Sequence, residues 1–142
     1  MPSAGSPLRT CTDQGVEGAD VGFDERGMHP GVPLREGLEV SPASLRVMLE
    51  RGEAWVLDCR EQAEWDAARI EGSTLIPLGE IEHRLDEIET EARVVTVCHH
   101  GVRSLKAALM LRAHGIEAVS LAGGIDLWSR SIDPGVPRYE RR

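Results

Sequence analysis

One stretch of the chain concentrates residues that can do chemistry: "CHHGVRS", residues 98–104, placed directly after the apolar run "VVTV". Cys98 ends what reads as a buried strand, and a helical pattern opens within six residues. A loop of that kind turns several backbone N–H groups inward, with the positive end of the next helix behind them. A thiol at its centre has its thiolate favoured by those donors and by nearby Arg103, which lowers its pKa from the free value of about 8.5. Such a thiolate is a nucleophile near neutral pH. Gly101 permits a positive φ or the close approach of a bound group. His99, His100, Gly101, Val102, Arg103 and Ser104 are therefore the expected substrate-binding loop around a catalytic Cys98.

The adjacent histidines raise the question of a metal. Zinc requires three or four converging ligands, whereas His29, His83 and His114 are scattered without ligand spacing. The expectation is no metal and no cofactor, with His99 and His100 lining the pocket mouth as groups whose charge depends on pH. Cys11, Cys59 and Cys98 are an odd number at wide spacing, which fits neither a disulfide framework nor a C-x-x-C pair. Cys59 reads as a buried spectator or as a resolving thiol. Arg103 either binds an anionic donor or pairs with a carboxylate to hold the loop. Asp58 and Arg60, at the end of another strand, either support that loop or form an ordinary ion pair.

The elements that must position these residues alternate in kind. The chain has 142 residues, 41% hydrophobic and 28% charged, which suits one soluble domain. Its net charge of -8 argues against a nucleic-acid surface, and no apolar run is long enough for a membrane span. The start lacks a secretory pattern, so the expected location is cytoplasmic. Residues 1–37, rich in Gly, Pro, Ser and acidic residues, read as a flexible leader, with Val32, Leu34 and Leu38 able to lie against the core. After Leu38, Ser41 and Pro42 open a short amphipathic helix closed by Gly52. "AWVLDC", "STLIP", "RVVTVC" and "EAVSLAG" read as strands; "EQAEWDAARI", "RSLKAALMLRAHG" and "IDLWSRSI" read as helices. Ile81, Leu85 and Ile88, at i, i+4, i+7, predict a further helix in "GEIEHRLDEI". Such alternation implies an α/β fold with a mainly parallel sheet covered on both faces, which binds ligands at the carboxyl ends of its strands.

Four ordered motifs carry a resemblance. "VLDCRE", "ARIEGSTLIPLGEI", "VCHHGVRS" and "LAGGIDLW" resemble the segments that mark the single-domain rhodanese-like sulfurtransferases, from about Leu38 to Tyr139, within an expected domain of residues 38–142. The resemblance implies a three-layer α/β/α sandwich in which Cys98 takes a sulfane sulfur from thiosulfate or a persulfide and passes it to a thiol or cyanide. It implies a small sulfur-containing anion as donor. The ending "IDPGVPRY" is similar to that of modules that work with a sulfur-carrier protein or adenylyltransferase. Against the family pattern, Arg69 and Glu71 replace a His and a Pro, and His99 stands where many relatives carry Arg. Two alternatives share the scaffold: a phosphatase or arsenate reductase, and a non-catalytic binding module. The phosphatases of this fold carry one more loop residue than the four between Cys98 and Arg103.

Overall fold

The computed structural model describes residues 22–89 and 91–140. Five strands form one parallel sheet: β1 (Glu39–Val40), β2 (Ala54–Asp58), β3 (Thr74–Leu75), β4 (Arg93–Val97) and β5 (Ala118–Leu121). Their order across the sheet is β1-β5-β4-β2-β3. β4 lies in the middle, paired with β2 from Ala54↔Arg93 to Asp58↔Val97 and with β5 from Val94↔Ala118 to Thr96↔Ser120. Cys98 therefore leaves the carboxyl end of the central strand.

Alternation along these strands feeds two apolar layers. Val56, Val95, Val97, Val119 and Leu121 face one side, where they pack with Leu45 of α1 (Pro42–Glu50) and Ile125 and Trp128 of α4 (Gly124–Ser131). Leu57, Val94 and Ala118 face the other, against Ala107, Ala108 and Leu111 of α3 (Val102–Ala113). The result is the expected α/β/α sandwich. Ser41 caps α1 by accepting from the Ser44 N–H at 3.1 Å, with Pro42 in the first turn. α2 (Gln62–Ala67) opens on a reciprocal cap in which the Glu61 N–H donates to the Glu64 carboxylate. No described helix is long and apolar enough to cross a membrane.

Two expectations are corrected. The helix foreseen in residues 79–88 is a pair of 3-10 turns, Leu78–His83 and Leu85–Glu87, interrupted at Arg84 with φ -132°. Ile81 and Ile88 are buried as their spacing required, but Pro77 starts a tight turn and no continuous helix follows. The flexible leader was drawn through residue 37, yet residues 22–37 fold back on the domain. There Met28 is buried beside Ala122 and Leu127, with Phe23 and Leu34 against them, and Arg26 bonds Asp24 and the Val32 carbonyl. Cys11 lies outside the described residues.

The junction between β4 and α3 is fastened from the second layer. Ile125 N–H donates to the Cys98 carbonyl at 2.8 Å and Asp126 N–H to the His99 carbonyl at 3.1 Å, so the first turn of α4 grips the loop. Gly124 allows it: a Cβ there would lie 2.3 Å from the His99 oxygen, at a φ of +66°. Gly124→Ala should therefore cost about 2–4 kcal/mol in denaturant unfolding. Gly115→Ala, at φ +81° but facing open space, should cost only about 1–2 kcal/mol.

Candidate active site

Cys98 is 1% exposed, and its Sγ sits where the loop closes on itself. Gly101 N–H donates to Sγ at 3.1 Å and Ser104 N–H at 3.3 Å. The Gly101 φ of +108° turns its amide inward. Ser104 Oγ lies 3.4 Å from Sγ and 2.7 Å from Ser120 Oγ. With the sulfur ionised, Ser104 donates to it and the buried Ser120 donates to Ser104. Cys59 contributes a further S–H donor from the neighbouring strand. That bond, opposed by burial and reinforced by the Ser104 and Gly101 donors, brings the Cys98 pKa down to about 5.

Arg103 does not point freely into the cleft. Its guanidinium forms two bonds to Glu64, at 2.8 and 2.9 Å. Burial works against Glu64 ionisation, but Arg103, the Glu61 N–H and the Tyr139 hydroxyl outweigh it and hold the carboxyl at about 2. The Tyr139 hydroxyl donates to Glu64 at 3.0 Å and accepts from Arg60 at 2.9 Å. Arg60, completely buried, bonds Asp58 twice, at 2.6 and 2.8 Å, and the carbonyls of Glu64 and Ala68. Asp58 and Arg60 thus reach the loop through Glu64 and Tyr139 rather than by touching it.

The cleft above the sulfur has a volume of about 680 Å³ and is bordered by His99, His100, Arg103, Asp126 and Tyr139. The His99 ring is buried between the rings of His100, 4.0 Å away, and Tyr139, 4.5 Å away. Burial first, then the charge of His100, lowers its pKa. His100 is outward, 3.7 Å from Asp126, whose carboxylate is engaged by Arg138 at 2.9 Å. His99, His100 and Asp126 place ligand atoms within 4.8 Å of one another, a grouping the spacing of histidines alone did not reveal. Val102 is exposed at the cleft edge.

The rhodanese-like domain family matches residues 41–131, from the cap of α1 to the last residue of α4. The chain belongs to this family. Its rhodanese-like domain is similar to the probable adenylyltransferase/sulfurtransferase MoeZ of Mycobacterium tuberculosis, 33% identical over 108 residues, which are 73% of this chain and 28% of that protein. The chain thus spans little more than a quarter of that relative. The thiosulfate sulfurtransferase GlpE of Pseudoalteromonas translucida is 30% identical over 100 residues, covering 70% of this chain and 95% of the relative. Among solved structures, a rhodanese-like domain protein from Staphylococcus aureus superposes with a TM-score of 0.63 at 28% identity, over 72% of this chain and 99% of that one.

Two expectations follow for this rhodanese-like domain. Thiolate absorbance, taken as wild type minus Cys98→Ser, should titrate with a midpoint near the about 5 of Cys98, and Ser104→Ala should move that midpoint upward. Glu64→Gln should destabilise the protein at neutral pH by about 1 kcal/mol. The folded carboxyl is depressed from 4.5 to about 2, so this difference is fully present above the unfolded value and disappears as pH falls through the folded one. Chemical unfolding across that range reads it.

Proposed function

We propose that the protein is a sulfurtransferase that moves a sulfane sulfur from thiosulfate or a persulfide donor to a thiol or cyanide acceptor through a Cys98 persulfide. The observation that carries this reading is the Cys98 sulfur at the base of a cleft, held by Gly101 and Ser104 N–H groups at 3.1 and 3.3 Å. Cys98 Sγ attacks the outer sulfur of thiosulfate, the S–S bond breaks, and sulfite leaves with the electron pair. The persulfide places its negative charge on the outer sulfur, toward the first turn of α3, whose N–H groups lack intrahelical partners. An acceptor nucleophile then attacks that outer sulfur, and Cys98 departs as the stabilised thiolate. Each step is a displacement at sulfur, supported by the fixed dipoles of the loop.

Arg103 acts in this reading by holding the loop through Glu64, and donor recognition falls to His99, His100 and the loop amides. The four residues between Cys98 and Arg103 favour sulfur over the larger phosphate of the phosphatase alternative. A physiological role with a sulfur-carrier protein or adenylyltransferase is supported by the adenylyltransferase/sulfurtransferase relative. Two buried free thiols suit a reducing compartment, in keeping with a cytoplasmic location.

Thiosulfate and cyanide should yield thiocyanate with wild-type protein and with Cys11→Ser, and Cys98→Ser should lose that activity by at least about a thousandfold. Hydrolysis of para-nitrophenyl phosphate that depends on Cys98, without thiocyanate formation, would replace this reading with the phosphatase one.

A further inference from the structure

The double displacement leaves one buried nucleophile without a part as a reactant. Cys59 follows β2 as Cys98 follows β4, each one residue beyond the paired Asp58 and Val97. The Cys59 N–H donates to the Val97 carbonyl at 3.0 Å, which continues the parallel ladder past the last pair. Both side chains turn into the same layer, with Leu57, Ile76 and Ala107. Neighbouring strands lie about 4.8 Å apart, within the roughly 4.4–6.8 Å between Cα atoms that a disulfide spans. Both thiols are free. Cys59 is 0% exposed and does not border the cleft, so a dissolved acceptor does not reach it. The reactive sulfur beside it is Cys98.

In the resting protein Cys59 is held as a thiol. Its S–H donates to the Val97 carbonyl at 3.3 Å or to the Cys98 thiolate, and that thiolate together with burial pushes the Cys59 pKa far above its ordinary value. Loading Cys98 changes this balance. Its Sγ becomes a neutral sulfur in an S–S bond, and the charge moves outward into the cleft. Exchange at a sulfur requires approach along the S–S axis, opposite the leaving atom. Cys59 occupies the buried side of Cys98, and the cleft receives whatever leaves.

Building on the persulfide reading, we propose a further activity: without an external acceptor, Cys59 Sγ attacks Cys98 Sγ, forming a Cys59–Cys98 disulfide and releasing the sulfane sulfur as hydrosulfide. The new S–S bond replaces the persulfide bond, whose electron pair leaves with the outer sulfur, and the Cys59 proton goes to that leaving group. The sulfane sulfur is reduced to sulfide as the two thiols are oxidised, so the donor itself is the oxidant. A dithiol reductant returns the pair to its resting state. Cyanide or a thiol at the cleft mouth competes by taking the outer sulfur first.

The full chain is mixed with thiosulfate, without acceptor, and followed by non-reducing intact mass, sulfide assay and disulfide mapping. The expected course is a species with one added sulfur that converts to one lighter than the starting protein by two hydrogens. One sulfide is released per chain, and the mapped bond joins Cys59 to Cys98. Cys59→Ser, whose hydroxyl keeps a donor beside the Cys98 sulfur but forms no disulfide, should gain the sulfur more slowly and keep it, and the gained sulfur itself reports an intact site. A persulfide that persists in wild type, a disulfide to Cys11, or a disulfide formed without sulfide overturns the inference and leaves the sulfurtransferase reading standing. No sulfur gain in wild type or variant, with neither sulfide nor disulfide, removes that reading and this inference together.

Discussion

Keeping a negative charge on a sulfur that is almost wholly buried is the constraint around which this domain is built. Removing an anion from water is costly unless fixed donors replace the lost hydration. Cys98 receives them from two backbone amides, from a hydroxyl backed by a second hydroxyl, and from a neighbouring thiol. These groups come from β5, from the residue that follows β2 and from the opening of α3. The thiolate therefore exists only in the assembled fold.

The surrounding structure holds those donors in place. The first turn of α4 takes the carbonyls of Cys98 and His99, and the absence of a side chain at Gly124 lets it come that close. Behind the loop, Asp58, Arg60, Tyr139, Glu64 and Arg103 form one continuous set of bonds from the end of β2 to the start of α3. Charges alternate along it, so each buried ion meets an opposite ion or a hydroxyl. Arg103 serves this set, and His99, His100, Asp126 and Arg138 border the cleft beside it.

Much of the fold was legible because parallel strands buried on both faces write short apolar runs, and the helices between them carry their own start and stop residues. Ser41 and Pro42 marked α1, and the run to Gly115 marked α3. The two 3-10 turns were misread because Ile81, Leu85 and Ile88 have helical spacing without a continuous helix. β1 was missed since two residues show no alternation. The candidate loop from Cys98 to Ser104 was readable because its residues are contiguous. Glu64, Ser120 and Tyr139 were not foreseen, because each reaches the site by folding: Glu64 looks like a solvent-facing helix residue, and Ser120 is a small polar residue inside a strand. The one signal for Tyr139 was a lone tyrosine in the ending "IDPGVPRY". Asp126 likewise joined the histidines only through the packing of α4 against the loop.

The identity of the sulfur that first accepts the donor atom decides the account most directly. Thiosulfate labelled in its outer sulfur, mixed with the full chain and quenched in acid within the first turnover, allows the labelled peptide to be identified by mass. The label should lie on Cys98 and should leave it when cyanide is added before the quench. A label first found on Cys59 or Cys11, or a protein that turns over thiosulfate while Cys98 never carries label, would contradict the account.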